Sequence, residues 1–128
     1  MIDKRLKKSS AIDFESVLKE ILESQNIVKG YKKTVIQSDS VVTIVVFEKF
    51  FLQISSDLSV TIIYTEADYY SEVEIVAAGA NVFESYRKAY NGELYNSFVT
   101  VDGTHGRDYY IADQISKIFI KYGFTPIN

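Results

Sequence analysis

Leu58-Ser59-Val60-Thr61-Ile62-Ile63-Tyr64-Thr65 decides how this chain is read. Leu58, Val60, Ile62 and Tyr64 share one phase, and Ser59, Thr61 and Thr65 share the other. A period of two with one apolar phase predicts a strand with one dry face and one wet face. Thr and Ile, stiff at χ1, favour the pleat. The next segment repeats the pattern, with Tyr69, Ser71, Val73, Ile75 and Ala77 in phase and Glu72 and Glu74 opposite. Glu66-Ala67-Asp68 between them is short and polar, which predicts a hairpin.

Upstream, Val41-Val42-Thr43-Ile44-Val45-Val46-Phe47 is apolar on both phases, as in a strand covered on both faces. It is far too short to span a bilayer. The strand runs on through Glu48-Lys49-Phe50-Phe51-Leu52-Gln53-Ile54, and Ser55-Ser56-Asp57 turns it into the strand at Leu58. Strict alternation puts Glu48 in phase with Ile44, Val46, Phe50 and Leu52, on the expected buried side. Two readings follow: a β-bulge between Phe47 and Phe50 that turns Glu48 outward, or a buried carboxylate with a partner or a task. The bulge, or a pairing with a helix-end cation, is the favoured one.

Around this meander lie two amphipathic helices. Asp13 suits an N-cap, and Phe14, Val17, Leu18, Ile21 and Leu22 make a stripe of helical period that ends near Ser24-Gln25-Asn26. Ile111, Ala112, Ile115, Ile118, Phe119 and Tyr122 make a second stripe, with Asp108 at its start and Gly123 and Pro126 past its end. Ile27 to Gln37 mixes Tyr31, Val35 and Ile36 with three lysines and reads as an edge strand that discourages edge-to-edge pairing. Met1 to Ser10 carries Lys4, Arg5, Lys7 and Lys8 and reads as a frayed basic tail. The expected fold is a single α+β domain over residues 1–128. It has two layers, an antiparallel meander of four to five strands with the N-terminal and C-terminal helices on one face.

At 128 residues the chain is long enough to bury roughly two-thirds of its unfolded surface. A net charge of -3 argues against a nucleic-acid partner, which requires a basic face. There is no cysteine, hence no disulfide framework or thiolate nucleophile. One histidine is too few for ordinary zinc spacing, and neither metal nor cofactor is expected. Without an apolar leader pattern the expected location is cytoplasmic, with no membrane association.

At Val46-Phe47-Glu48-Lys49-Phe50, Leu58-Ser59-Val60-Thr61-Ile62 and Ala77-Ala78-Gly79 the chain resembles a family of small uncharacterised bacterial α+β domains. The resemblance implies an order of elements: an N-terminal helix, a meander with an aromatic-rich central strand, a small-residue turn and a closing helix. It implies no activity. The stretch from Asn81 to Asn96 is longer than the family pattern.

Three constellations are candidates for function. Asp102-Gly103-Thr104-His105-Gly106-Arg107-Asp108 holds the only histidine just before a helix start. His105 there is a candidate general base oriented by Asp102 or Asp108, and the helix start with Arg107 a candidate anion site. The favoured reading is structural, two glycines making a turn and Asp108 capping a helix. Glu72 and Glu74 share a strand face, an ordinary spacing on a solvated sheet. Ten tyrosines and eight phenylalanines, with no tryptophan, form the third. Tyr64, Tyr69, Tyr70, Tyr86, Tyr90, Tyr95, Tyr109 and Tyr110 either line a pocket or pack the sheet edge. The candidate ligand contacts are Tyr70, Tyr86, Tyr90, Tyr95, His105, Arg107 and Glu48.

The leading expectation is a non-enzymatic module acting through protein interaction, self-associating as a homodimer. Its partner face would be the sheet surface bearing Val41, Val45, Phe47 and Phe51. The alternatives are a small-molecule ligand held in a Tyr-lined pocket near residues 79–106, and an enzyme using His105.

Overall fold

A computed structural model of the chain describes residues 1–27, 29–51, 56–79 and 107–127. The elements run β1 (Ile2–Lys8), α1 (Phe14–Ser24), β2 (Gly30–Ile36), β3 (Ser40–Phe51), β4 (Ser56–Ala67), β5 (Ser71–Gly79), α2 (Arg107–Lys121) and β6 (Thr125–Pro126). The strands form one antiparallel sheet in the order β2-β3-β4-β5-β1-β6. The fold is therefore α+β with an antiparallel sheet, as expected, but the described sheet has six strands rather than four or five. Ser97-Phe98-Val99-Thr100-Val101, which the sequence offers as a further short strand, lies outside the described residues.

The two additional strands come from the chain ends. Residues 2–8 are not a frayed tail. They pair along their whole length with β5, from Ile2 opposite Ala77 to Lys8 opposite Ser71, and Leu6 is 1 % exposed. The sequence hid this because Ile2 and Leu6 are the only apolar residues on the inward phase. The other two inward positions are lysines, whose stems lie along the sheet while their charges reach the rim. Lys4 Nζ comes 3.8 Å from Asp113 on α2, and Lys8 Nζ donates to the Tyr122 carbonyl at 2.7 Å.

Both helices begin and end for local reasons. Asp13 caps α1, its Oδ1 accepting from the Ser16 N–H at 3.4 Å and its Oδ2 from the Ser16 hydroxyl at 2.6 Å. These bonds stabilise the carboxylate and hold its pKa below the ordinary value. Asn26, at φ 58°, then ends the helix. Its N–H bonds the Glu23 carbonyl and the Ile27 N–H bonds the Leu22 carbonyl, the paired pattern of a left-handed C-cap. Gly123, at φ 100°, ends α2 in the same way, with bonds from Gly123 to Ile120 and from Phe124 to Phe119.

The register fixes which side chains share the dry face. Phe47, Val60 and Ala77 lie in one cross-strand row; Val45, Ile62 and Ile75 in the next; Thr43, Tyr64, Val73 and Leu6 in a third. All are buried, and they form one core with Phe14, Val17, Leu18 and Ile21 of α1 and Ile111, Ala112, Ile115 and Phe119 of α2. Phe14 stacks on Tyr64 with ring centroids 4.5 Å apart, and Phe119 meets Phe124 edge to face at 5.4 Å. No described helix is long and apolar enough to cross a membrane.

Candidate functional site

The outward phase of the same strands makes a second face. Tyr31, Val46, Thr61, Val76 and Asp3 form one cross-strand row on it. Lys33, Ile44, Ile63, Glu74 and Arg5 form the next, and Val35, Val42, Thr65, Glu72 and Lys7 a third. A sheet face left to water ordinarily alternates into polar residues. Here β3 instead presents Val42, Ile44 and Val46, and β4 and β5 add Ile63 and Val76. All five are half-buried, while both described helices pack on the opposite face.

Glu48 belongs to this outward phase. Its pairing with Ser59 lies between Phe47–Val60 and Lys49–Leu58 without interruption, so β3 has no bulge there, and the side chain is exposed. The expectation of a bulge followed from taking Ile44 and Val46 as the core phase. With β3 apolar on both phases the choice cannot be made from β3 alone. Pairing with β4 makes it, because Val45 and Phe47 stand beside Ile62 and Val60. The same correction applies to the partner face: Val45 and Phe47 lie in the core, and Val42, Ile44 and Val46 take their place outside.

Charge frames this aliphatic strip. On the β2 side Lys33 has no ion-pair partner among the described residues. On the β5–β1 side Arg5 Nε lies 3.5 Å from Glu74 Oε2 and 3.9 Å from Asp3 Oδ2. Two carboxylates thus share one guanidinium. A hydrogen bond between Asp3 and Glu74, then burial, then the repulsion of Asp3 raise the Glu74 pKa, although Arg5 works against them. The carboxylate pair is therefore Glu74 with Asp3, across strands, rather than Glu74 with Glu72 along one. Beside it Arg5, Ile63, Thr65, Glu72, Glu74 and Ile127 line an open groove of about 360 Å³.

The other candidates are dispersed. Tyr70 is exposed in the turn between β4 and β5, where its carbonyl accepts from the Ala67 N–H. Arg107 opens α2, half-buried, and Asp108 beside it is 1 % exposed, its Oδ1 accepting from the Tyr109 N–H at 2.8 Å. Tyr86, Tyr90, Tyr95, Asp102 and His105 lie outside the described residues, as does most of the pocket expected near residues 79–106. Of the remaining tyrosines, Tyr64 is a core residue, Tyr69 and Tyr110 are exposed, and Tyr109 lies under the Lys4 ammonium at 4.6 Å. Among the described residues no group of three or more His, Cys, Asp or Glu side chains is placed to hold a metal ion.

Sequence reasoning missed Asp3 and Arg5, because it read their strand as a tail. The available signal was the two-residue spacing of Asp3, Arg5 and Lys7 against Ile2, Lys4 and Leu6. Comparison with known proteins adds no relative: no protein-family model matches the chain, and neither the curated proteins nor the solved structures searched contain a match.

Proposed function

We propose that this chain is a non-enzymatic protein-interaction domain that docks through the outward face of its sheet. The observation that carries the reading is the strip of Val42, Ile44, Val46, Ile63 and Val76 on the face opposite both described helices. Each of these side chains loses about 25 cal/mol per Å² by remaining in water, and a partner that covers them recovers it. A contiguous apolar strip rimmed by charge is the usual mark of an interaction surface. Threonines at 61 and 65 keep it compatible with water before the partner arrives. The charges of Lys33, Glu72 and Glu74 at its borders would select among partners and orient them.

Site-directed photo-crosslinking in living cells tests this. A photoreactive phenylalanine analogue at position 44 should give adducts of defined mass. The same analogue at position 117, an exposed site on α2, should give none. Silence at position 44, or equal labelling from both positions, would refute the docking face.

A further inference from the structure

We infer that the occupant of this face is a second copy of the same chain, held by a two-fold axis that runs along the strands between β3 and β4. The inference rests on the docking reading above and names its partner. The face is complementary to itself in charge and in apolar surface. A two-fold axis that brings one sheet onto its copy face to face must lie in the plane between them. Only two orientations respect the strand direction.

With the axis along the strands, each strand lies over its mirror position across the sheet. β3 covers β4 of the second copy, and β2 covers β5. Given the pairing rows, Ile44 then meets the second copy's Ile63, and Tyr31 meets its Val76. Lys33 meets the second copy's Glu74. This last contact joins a lysine with no ion-pair partner among the described residues to the Asp3–Arg5–Glu74 cluster, which carries one surplus negative charge. The contact forms twice, once on each side of the axis. Sheets packed in this way keep their strands within about 30° of each other, so long side chains at the margin stay within reach.

With the axis across the strands, every strand lies over itself. Whatever the height of that axis, Lys33 then meets only β2, whose outward residues are Tyr31, Lys33 and Val35, and Glu74 meets only β5, which carries Glu72 and Glu74. Like charges set against each other in a partly desolvated contact oppose association. The charge pattern therefore selects the first arrangement.

The contact is small. The four overlapping strands at about 4.8 Å and three outward rows at roughly 6.7 Å cover about 390 Å² on each copy. The total of about 770 Å² lies below the standard size of specific interfaces, so a weak, concentration-dependent dimer is expected.

The test is sedimentation equilibrium of the full chain across a dilution series, with a charge swap. Wild type should dimerise. K33E and E74K should each weaken the dimer at least tenfold, and the double variant K33E/E74K should return to within about threefold of wild type. Each variant's fold is checked by circular dichroism. A second measurement uses the absence of native cysteine. Mixed Y31C and V76C proteins should be joined by a short bis-maleimide whose reach matches the ~10 Å spacing of packed sheets, whereas neither protein alone should be, because two Tyr31 positions would lie a further three strand spacings, roughly 14 Å, to the side. A wild-type monomer at millimolar concentration overturns the inference, as does a double variant no better than either single. The docking reading fails separately. If the purified chain is monomeric while position 44 still crosslinks a different protein in cells, only the second copy is excluded. If position 44 is also silent, both readings fall.

Discussion

The ring of Phe14, the first residue of α1, lies flat on the ring of Tyr64 in β4, with centroids 4.5 Å apart and planes inclined by 2°. The contact fastens the first helix to the sheet, and the Tyr64 hydroxyl extends it. That hydroxyl donates to Glu66 Oε1 at 2.8 Å and accepts from the Ile12 N–H at 3.4 Å. Burial first, and the bond to Glu66 next, push the Tyr64 pKa up to about 12.

Two substitutions should separate these contributions. Phe14→Ala removes a buried ring and should cost about 3–5 kcal/mol in chemical denaturation. Tyr64→Phe keeps the stack but removes the hydroxyl bonds, and should cost roughly 1 kcal/mol. The pH dependence has a definite sign. The folded state raises the pKa above its unfolded value near 10, so this stabilisation is complete below pH 10 and is lost as pH rises towards 12. Absorbance titration at 295 nm should show one late tyrosine in wild type that is missing in Tyr64→Phe. A Tyr64 titrating with the exposed tyrosines would contradict the burial assigned to it.

The placement of β1 leads to a second prediction. Leu6 is 1 % exposed, and Lys8 Nζ closes the C-terminal end of α2 on the Tyr122 carbonyl at 2.7 Å. Leu6→Ala should therefore cost about 2–5 kcal/mol, where the same change in a tail would cost less than about 0.5 kcal/mol. Gly123→Ala should cost roughly 1–2 kcal/mol from its positive φ alone. A β-carbon there would also come within 3.2 Å of Lys8 Nζ and 3.3 Å of its Cε. In a Lys8→Ala background that crowding disappears, so the penalty of Gly123→Ala should shrink without vanishing. Thermal denaturation of the four proteins of this cycle measures the coupling. A Leu6→Ala variant as stable as wild type would mean that residues 2–8 do not add a strand.

How much of this was legible differs from element to element. α1 was readable because Phe14, Val17, Leu18 and Ile21 recur at helical spacing, and all four are buried. β4 and β5 were readable because each alternates against Thr, Ser or Glu, with Ile63 and Val76 the apolar exceptions that the outward strip uses. β3 was readable as a strand but not as an orientation. Valine, isoleucine and phenylalanine on both phases satisfy either face, and only the register with β4 sends Phe47 inward and Glu48 outward. β1 was illegible for a different reason. Two of its four inward positions are lysines, and its stability comes from β5 on one side and β6 on the other, far away in sequence. The charged border of the candidate face shared that fate, since Asp3 and Arg5 meet Glu74 only through that long-range pairing.

The carboxylate pair supplies the last prediction. Glu74 is held above its ordinary pKa of 4.5, chiefly by its hydrogen bond with Asp3, while Arg5 at 3.5 Å pulls the other way. A raised carboxyl pKa means that folding favours the protonated form. The associated stability is fully present below the unfolded pKa and is lost as pH rises through the folded value. At neutral pH the pair therefore works against the fold. Asp3→Asn deletes the first cause and leaves Arg5 with one carboxylate, so Glu74 should titrate at lower pH than in wild type. Carboxyl-carbon NMR through a pH series measures that shift directly. Stability at pH 7 should rise by a few tenths of a kcal/mol at most, because Arg5 and Asp3 are well exposed and solvent screens them. Below pH 4 the variant and wild type should converge. An unchanged Glu74 titration in Asp3→Asn would show that burial, not Asp3, sets its pKa.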